Sequence, residues 1–466
     1  MKNQNLLICL FVFVIFCIGC TSKQNNALLV SKVNPRYFTD NSGKAVYLTG
    51  SHTWNNLVEM TETEGMNTFD YEAYLKFLKS YNHNFFRLWK WDMVNWNTAG
   101  NKEKNSRNLI VYPQPWLRTG SEKASDGKPK FDLTKFNPEY FERLKARVEA
   151  ADKLNIYVSV MLFEGWGLQF SPGSFQNHPF HPSNNINKTL PESFPDSLRL
   201  EIYELKHENI TRLQEAYVCE VINTVTGFDN VLYEISNENH PASLDWQYQM
   251  IQFVKQVEQE MGNSHPVGMT FQYKGGKNSA LLNSLADWIS PNPEGGYRDN
   301  PPANTGSKII VADTDHLGGI WGTRQWVWKS FLRGLNPVFM DPYDGKILEK
   351  GAGSDWAEEV RVAMGHTLHF AEKMDLINMV PTETLSSSGF CLVKEGQEYL
   401  IYIPEGKDVK LNLSSVSGEF TVEWFNPIDG TISQGKMVSG NREITLGSPF
   451  SANEAVVYLK TKKDKK

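Results

Sequence analysis

The sequence predicts an α/β chain in two parts. Residues 35–380 form a closed barrel of eight parallel strands with helices outside it, (β/α)8, and residues 381–466 form a small all-β antiparallel sandwich. Three features lead there. Apolar runs rich in Val, Ile, Leu and Phe alternate with amphipathic helical segments, the pattern of parallel strands buried on both faces. Eight such strand–helix units precede residue 380, the number that closes a barrel of this kind. After Thr382 the pattern changes to short alternating strands separated by turns such as KEGQ, PEGK and PIDG, which belongs to antiparallel structure. The length of 466 residues also suits a barrel-sized unit plus something smaller.

Each element has its own signal. RYFTD and KAVYLTGSHTW read as strands joined by the turn DNSGK. FDYEAYLKFLKSYN carries apolar residues at helical spacing and leads into the strand NFFRLWKW. A polar stretch with many Asn, Gly and Pro follows, then the helix NPEYFERLKARVEAADKLN and the strand IYVSVMLFEGW. After a loop come a long helix from about Leu198 to Gly227, the strand VLYEIS and the helix SLDWQYQMIQFVKQVEQEMG. The series continues with PVGMTFQY (strand), KNSALLNSL (helix), DWISP (strand), KIIVADTDH (strand), RQWVWKSFLRG (helix), NPVFMDPY (strand) and DWAEEVRVAMGHTLHFAEKM (helix). PVGMTFQY and DWISP are the weakest strands, and no helix is evident after DWISP. A doubly wound sheet is the alternative, disfavoured because no Gly-rich phosphate loop follows the first strand. The sandwich strands are GFCLVKEG, QEYLIYIPEG, KDVKLNLSSVSGEFTVEWFNP, TISQGK and NEAVVYLK.

The start, MKNQNLLICLFVFVIFCIGCTSKQNN, has a Lys, an apolar run too short for a comfortable membrane span, and the ending CIGC. That ending resembles the bacterial lipobox. The resemblance implies a signal peptide over residues 1–20, Cys20 as the lipidated mature N-terminus, and a polar tether over 21–34; the alternative is an uncleaved anchor. The expected place is then the bacterial cell envelope, at the outer membrane or cell surface with the periplasm as alternative, with the lipid as the sole membrane contact. Of five cysteines only Cys219 and Cys391 would remain free, so no disulfide framework is expected, and no CxxC or His-rich cluster suggests a metal or other cofactor. A net charge of -6 without a basic run before the tail KTKKDKK argues against a nucleic-acid partner. A monomer is expected. The 13 Trp, 18 Tyr and 26 Phe favour a cleft in which apolar sugar faces stack on rings.

In a barrel the chemistry gathers at the carboxyl ends of the strands, which here finish in SHTW, FRLWKW, LFEGW, SNEN, FQY, SPNPEGG, ADTDH and MDPY. Glu238, at the end of VLYEISNENH, is thus a carboxylate held over a packed barrel, where a raised pKa and a general-acid role are expected. The arrangement resembles the clan A glycoside hydrolases. Their acid/base is the Glu of an Asn-Glu pair ending strand four, here Asn237-Glu238, and the resemblance also implies that Arg87 lies beneath the opposing carboxylate. YFTDNSGKAVYLTGSHTW and SGFCLVKEGQEYLIYIPEG look like the apiosidase-like hydrolases that carry a C-terminal domain of the collagen-binding type.

Glycoside hydrolysis needs a second carboxylate across the scissile bond. In the clan it is usually a Glu ending strand seven, whereas KIIVADTDH supplies Asp313 and Asp315. Asp313 is preferred because it follows small Ala312 directly; Asp315 is the rival, bonded to His316 or to a sugar hydroxyl. His52, Trp54, Trp89, Trp91, Glu164, Trp166, Tyr273, Glu294, His316 and Trp321 are the candidate sugar contacts, each weighed against plain packing. Two functions follow: a surface glycosidase acting on a complex plant or host glycan, with an oligo- or polysaccharide substrate, or a non-catalytic glycan-binding lipoprotein on the same scaffold.

Overall fold

The structure is a computed structural model that describes residues 27–101 and 105–462. The eight expected strands form the barrel: β1 (Gly50–His52), β2 (Phe85–Leu88), β3 (Tyr157–Glu164), β4 (Val231–Asn237), β5 (Val267–Thr270), β6 (Trp288–Ser290), β7 (Ile309–Asp313) and β8 (Asn336–Met340). They run parallel, each beside its chain neighbour from β2 to β8, and β8 pairs back with β1. At the β1/β2 seam the Asn84 N–H donates to the Thr49 carbonyl at 3.1 Å, while the Asn84 side chain accepts from the Thr49 N–H at 2.9 Å. Gly50 allows this closure, since a Cβ there would lie 2.2 Å from the Phe85 carbonyl oxygen.

The outer layer holds α1 (Tyr71–Ser80), α2 (Pro138–Asp152), α3 (Glu208–Val225), α4 (Leu244–Glu260), α5 (Arg324–Leu332) and α6 (Asp355–Lys373). Side chains of Asp70, Asn137 and Thr323 cap α1, α2 and α5 by accepting otherwise orphaned first-turn N–H groups. The segment after β6 contains no helix. The long helix expected from about Leu198 to Gly227 is interrupted: a 3-10 segment covers Asp196–Tyr203, and α3 begins only at Glu208. Long-range partners hold the break. Tyr203 hydrogen-bonds Asp92 and packs on Trp246, and Glu204 pairs with His240 and Lys206.

Period two along the strands decides what fills the barrel. Phe85, Leu232 and Val311 pack together at the amino-terminal end with Trp288, Ile309 and Val338. Two residues further along the same strands stand Arg87, Glu234 and Asp313, joined by ion pairs instead. Leu28, Phe38 and Leu48 complete the apolar floor, brought there by a small sheet of Leu29–Val30, Phe38–Thr39 and Ala45–Val46. The tether expected over residues 21–34 therefore does not include 27–34: Ala27 and Leu28 are buried because the open apolar end of the barrel gains by being covered. The expected signal peptide, Cys20 and residues 21–26 lie outside the described residues.

The polar stretch after β2 is more ordered than its composition suggested. Asn95–Asn97 and Asn108–Tyr112 form a three-stranded sheet with Glu59–Thr61, and Trp116–Lys123 pairs with Pro129–Phe136. In the C-terminal domain, Cys391–Lys394, Glu398–Ile403, Ala455–Thr461 and Glu419–Phe425 form the centre of an antiparallel sheet. Asp408–Asn412 pairs with Glu443–Gly447, a strand absent from the sequence expectation. Alternate residues of the main sheet serve two cores. Val393, Tyr399, Ile401 and Val457 face the domain's own interior, whereas Leu392, Leu400, Tyr402, Val456 and Tyr458 join the core of the barrel. Tyr402 stacks on Trp328 of α5 at 5.9 Å, and Arg324 pairs with Glu454 at 3.1 Å.

Candidate active site

The carboxyl ends of the strands open into a cavity of about 520 Å³. Of the residues singled out in the sequence, Glu238, Asp315, Glu164, Asn237, His316, Trp54, Trp89, Trp91, Trp166 and Tyr273 line it.

Arg87 is the hub below. Its guanidinium is buried and uses all five N–H donors. Nε and one Nη bind Glu234 at 2.8 and 2.6 Å, the same Nη also reaches the Asn237 side-chain oxygen, and the other Nη binds Asp313 at 3.1 Å and Asp315 at 2.9 Å. Its face lies 4.8 Å from the Trp89 ring centroid. One cation thus holds three carboxyl groups, and removing it would leave buried charges unpaired. Glu234, inside the apolar run VLYEIS, was not singled out from the sequence. A lone acid in a strand buried on both faces was the available signal.

The two aspartates of β7 and the turn after it occupy different surroundings. Asp313 is fully buried, does not line the cavity, accepts from Arg87, and meets His52 Nε2 at 2.9 Å. Burial alone would raise its pKa, but the His52 ring and Arg87 beside it hold the carboxyl well below the usual range. Asp313 also caps the short helix Thr314–Gly318, accepting the Asp315 N–H at 2.9 Å. This turn replaces the extended chain that would have pointed both carboxyls alike and lifts Asp315 into the cavity. There burial pushes its pKa up to about 6, with Arg87 opposing and Asp313 assisting. Asp315, and not Asp313, therefore lines the cavity. His52 goes with Asp313: its ring is buried beneath the cavity and stacks on Trp89 at 5.4 Å instead of lining the surface.

Glu238 follows β4 with φ of 42°, the left-handed region that costs a residue with a Cβ roughly 1–3 kcal/mol. Bonds on both sides hold that bend. The Glu238 N–H donates to Thr270 Oγ1 at 3.3 Å and its carbonyl accepts from Gln169 Nε2 at 2.8 Å. Gly165 must be glycine here, since a Cβ would lie 2.5 Å from Asn239. Glu238 makes no ion pair among the described residues. Burial and then the charge of Asp315 raise its pKa well above the usual range, with Arg87 opposing.

The neighbours are ordered by the same network. Glu164 ends β3 and accepts the N–H groups of Trp166 and Gly167, each at 2.9 Å; burial pushes it up to about 8 against these donors and the Asn237 side chain. His316 is neutral, because burial and the nearby Arg87 press its pKa well below the ordinary value. Since Asn237 Oδ1 can only accept, His316 Nε2 carries the proton in their 3.1 Å bond, and Nδ1 accepts from Ser290 Oγ at 2.6 Å. Glu294 and Trp321 do not line the cavity. Glu294 accepts the Asn278 N–H at 3.2 Å, and Trp321 donates from Nε1 to the Thr314 carbonyl at 3.1 Å. Trp96 and Asn101 from the insertion after β2, Phe271, Arg298 and Lys350 do line it and were not anticipated. They stand on connections whose path over the rim no local pattern reveals.

Comparison with known proteins bears on the fold. Residues 108–282 match a family described as "Domain of unknown function (DUF6298)", and residues 379–457 match one described as "Putative collagen-binding domain of a collagenase". No curated protein matches the chain by sequence. Among solved structures, a glycoside hydrolase aligns with a TM-score of 0.61 at 12% identity, covering 94% of this chain and 98% of its own. A glycoside hydrolase family 5 protein from Bacteroides vulgatus aligns at 0.59 and 12% identity, covering 95% of each chain. The chain thus shares with these proteins its whole architecture, a (β/α)8 TIM barrel followed by an all-β domain.

Proposed function

We propose that this chain is a glycoside hydrolase in which Glu238 is the general acid and Asp315 the opposing carboxylate. The observation that carries the proposal is the contrast between these two carboxyls in one tryptophan-lined cavity: Asp315 is tied to Arg87 at 2.9 Å, while Glu238 has no ion pair among the described residues. A shared cation keeps Asp315 available as an anion near neutral pH; burial and the neighbouring negative charge keep the proton on Glu238. Glu238 would pass that proton to the glycosidic oxygen as the bond breaks. Asp315 would meet the anomeric carbon, directly or through a water whose proton it takes. Asn237, braced by Arg87 and His316, presents its amide to a sugar hydroxyl, and Trp166 with Trp54 and Trp91 offers apolar ring surface. The likeness of the whole architecture to two glycoside hydrolases supports this reading. A complex glycan of plant or host origin remains the proposed substrate.

The test is a pair of variants assayed on two substrates. Glu238→Ala should lower turnover of natural glycans by about 10²–10⁴-fold and recover much of it on an aryl glycoside whose leaving group needs no proton. Asp315→Ala should be inactive on both. Loss in Asp313→Ala with full activity in Asp315→Ala would return the role to Asp313. Parental rates in all three variants would refute hydrolysis by this site.

A further inference from the structure

We infer that the substrate carries an anionic group, a carboxylate or a sulfate ester, and that Arg298 binds it at the edge of the cavity. The inference rests on the glycosidase reading above and specifies the glycan that this site accepts.

Arg298 lies in the segment after β6, is exposed, and lines the same cavity as Glu238 and Asp315. Its guanidinium carbon stands 4.9 Å from the ring centroid of Trp321. Trp321 is itself fixed, donating its indole N–H to the Thr314 carbonyl next to Asp315. Arg298 also lies close to the backbone: a Cβ at Gly318, three residues past Asp315, would lie 2.8 Å from its Nη1. Gly318 has φ of 146°, so glycine suits both the turn and the close approach. A long side chain is thereby placed against a ring and against the turn that follows Asp315, yet no described residue forms an ion pair or a hydrogen bond with it.

That combination has a chemical meaning. Of the three carboxyl groups lining the cavity, Asp315 is committed to Arg87 and Glu164 to the Trp166 and Gly167 N–H groups, while Glu238 keeps its proton in the reading above. Lys350, from the connection after β8, also lines the cavity without an ion pair among the described residues. Two cations from different connections therefore line one cavity, and neither forms an ion pair among the described residues. A neutral sugar offers hydroxyls, which do not require a braced guanidinium. A carboxylate or sulfate offers the paired oxygens that the planar fork of an Arg accepts, and stacking reduces the entropy lost on binding.

Binding and hydrolysis are to be measured with the full protein and the Arg298→Gln variant. The probes are uronic-acid oligosaccharides with their carboxyl-reduced counterparts, and sulfated galactan oligosaccharides with their desulfated counterparts. At least one anionic form should bind about tenfold more tightly than its neutral counterpart, and added salt should shrink the gap. Which pair shows the gap identifies carboxylate or sulfate. Arg298→Gln, at an exposed position that leaves the core intact, should erase most of the discrimination. Equal affinity for charged and neutral forms, failure of every anionic probe to bind, or undiminished discrimination in Arg298→Gln would overturn the inference. Discriminating binding with no cleavage of any probe would refute the glycosidase reading and leave the anion site standing. Cleavage without discrimination would do the opposite.

Discussion

The two ends of the barrel are made from the same strands and stabilised by opposite means. At the floor, Phe85, Leu232 and Val311 meet Leu28, Trp288 and Val338, and stability comes from removing apolar area from water. One inward position further along, Arg87, Glu234 and Asp313 are as deeply buried but are held by ion pairs and hydrogen bonds, with Asp315 above them. Burying these charges costs solvation that pairing only partly returns. The floor therefore supports the fold, and the rim draws on that support to keep carboxyl groups at unequal pKa values. The strain at Glu238 belongs to the same account.

Three experiments test this contrast. The largest effect is expected from Arg87→Ala, which removes the cation shared by Glu234, Asp313 and Asp315. It should cost about 3–5 kcal/mol of stability by urea unfolding and abolish turnover. A loss below about 1 kcal/mol would mean that the three carboxyl groups tolerate one another by taking up protons. Next comes Leu28→Ala at the floor, expected to cost about 2–3 kcal/mol through lost burial and a residual cavity. Its kcat should stay near that of the parent, since no floor residue lines the cavity. A selective loss of turnover without loss of stability would contradict the division of labour between the two ends.

The smallest effect is a pH dependence. Asp315 has a folded pKa of about 6, above its ordinary 3.8, chiefly because it is buried. The folded state then holds a proton that the unfolded chain has released, so the contribution to stability is complete below about 3.8 and is lost as pH rises through about 6. Relative to Asp315→Asn, which cannot titrate, the parent should become progressively less stable across that window. Unfolding midpoints at pH 4, 5, 6 and 7 would show it. Parallel curves for the two proteins would place Asp315 in an ordinary environment and weaken its distinction from Asp313.

The C-terminal domain shows how far composition reaches. Its turns and alternating strands were evident, but alternation implied one dry face and one wet one. In Glu398–Ile403 both faces are dry, because Leu400 and Tyr402 pack on the barrel while Tyr399 and Ile401 fill the sandwich. Trp328 of α5 supplies the partner surface, and nothing local to QEYLIYIPEG could announce it.

By itself the sequence determined the eight strands, their parallel order, and the polar ends that became the cavity, because these depend on local periodicity and on where apolar runs stop. It also placed Glu238, Arg87, Asp313 and Asp315 at or just past the carboxyl ends of their strands. Only the tertiary structure decided which aspartate faces the cavity. The turn at Thr314 raises Asp315 and leaves Asp313 against His52, a residue of β1 that lies 261 positions away. Which carboxyl is sheltered and which is presented depends on partners from two other strands, His52 of β1 and Arg87 of β2, and these meet β7 only when the barrel closes.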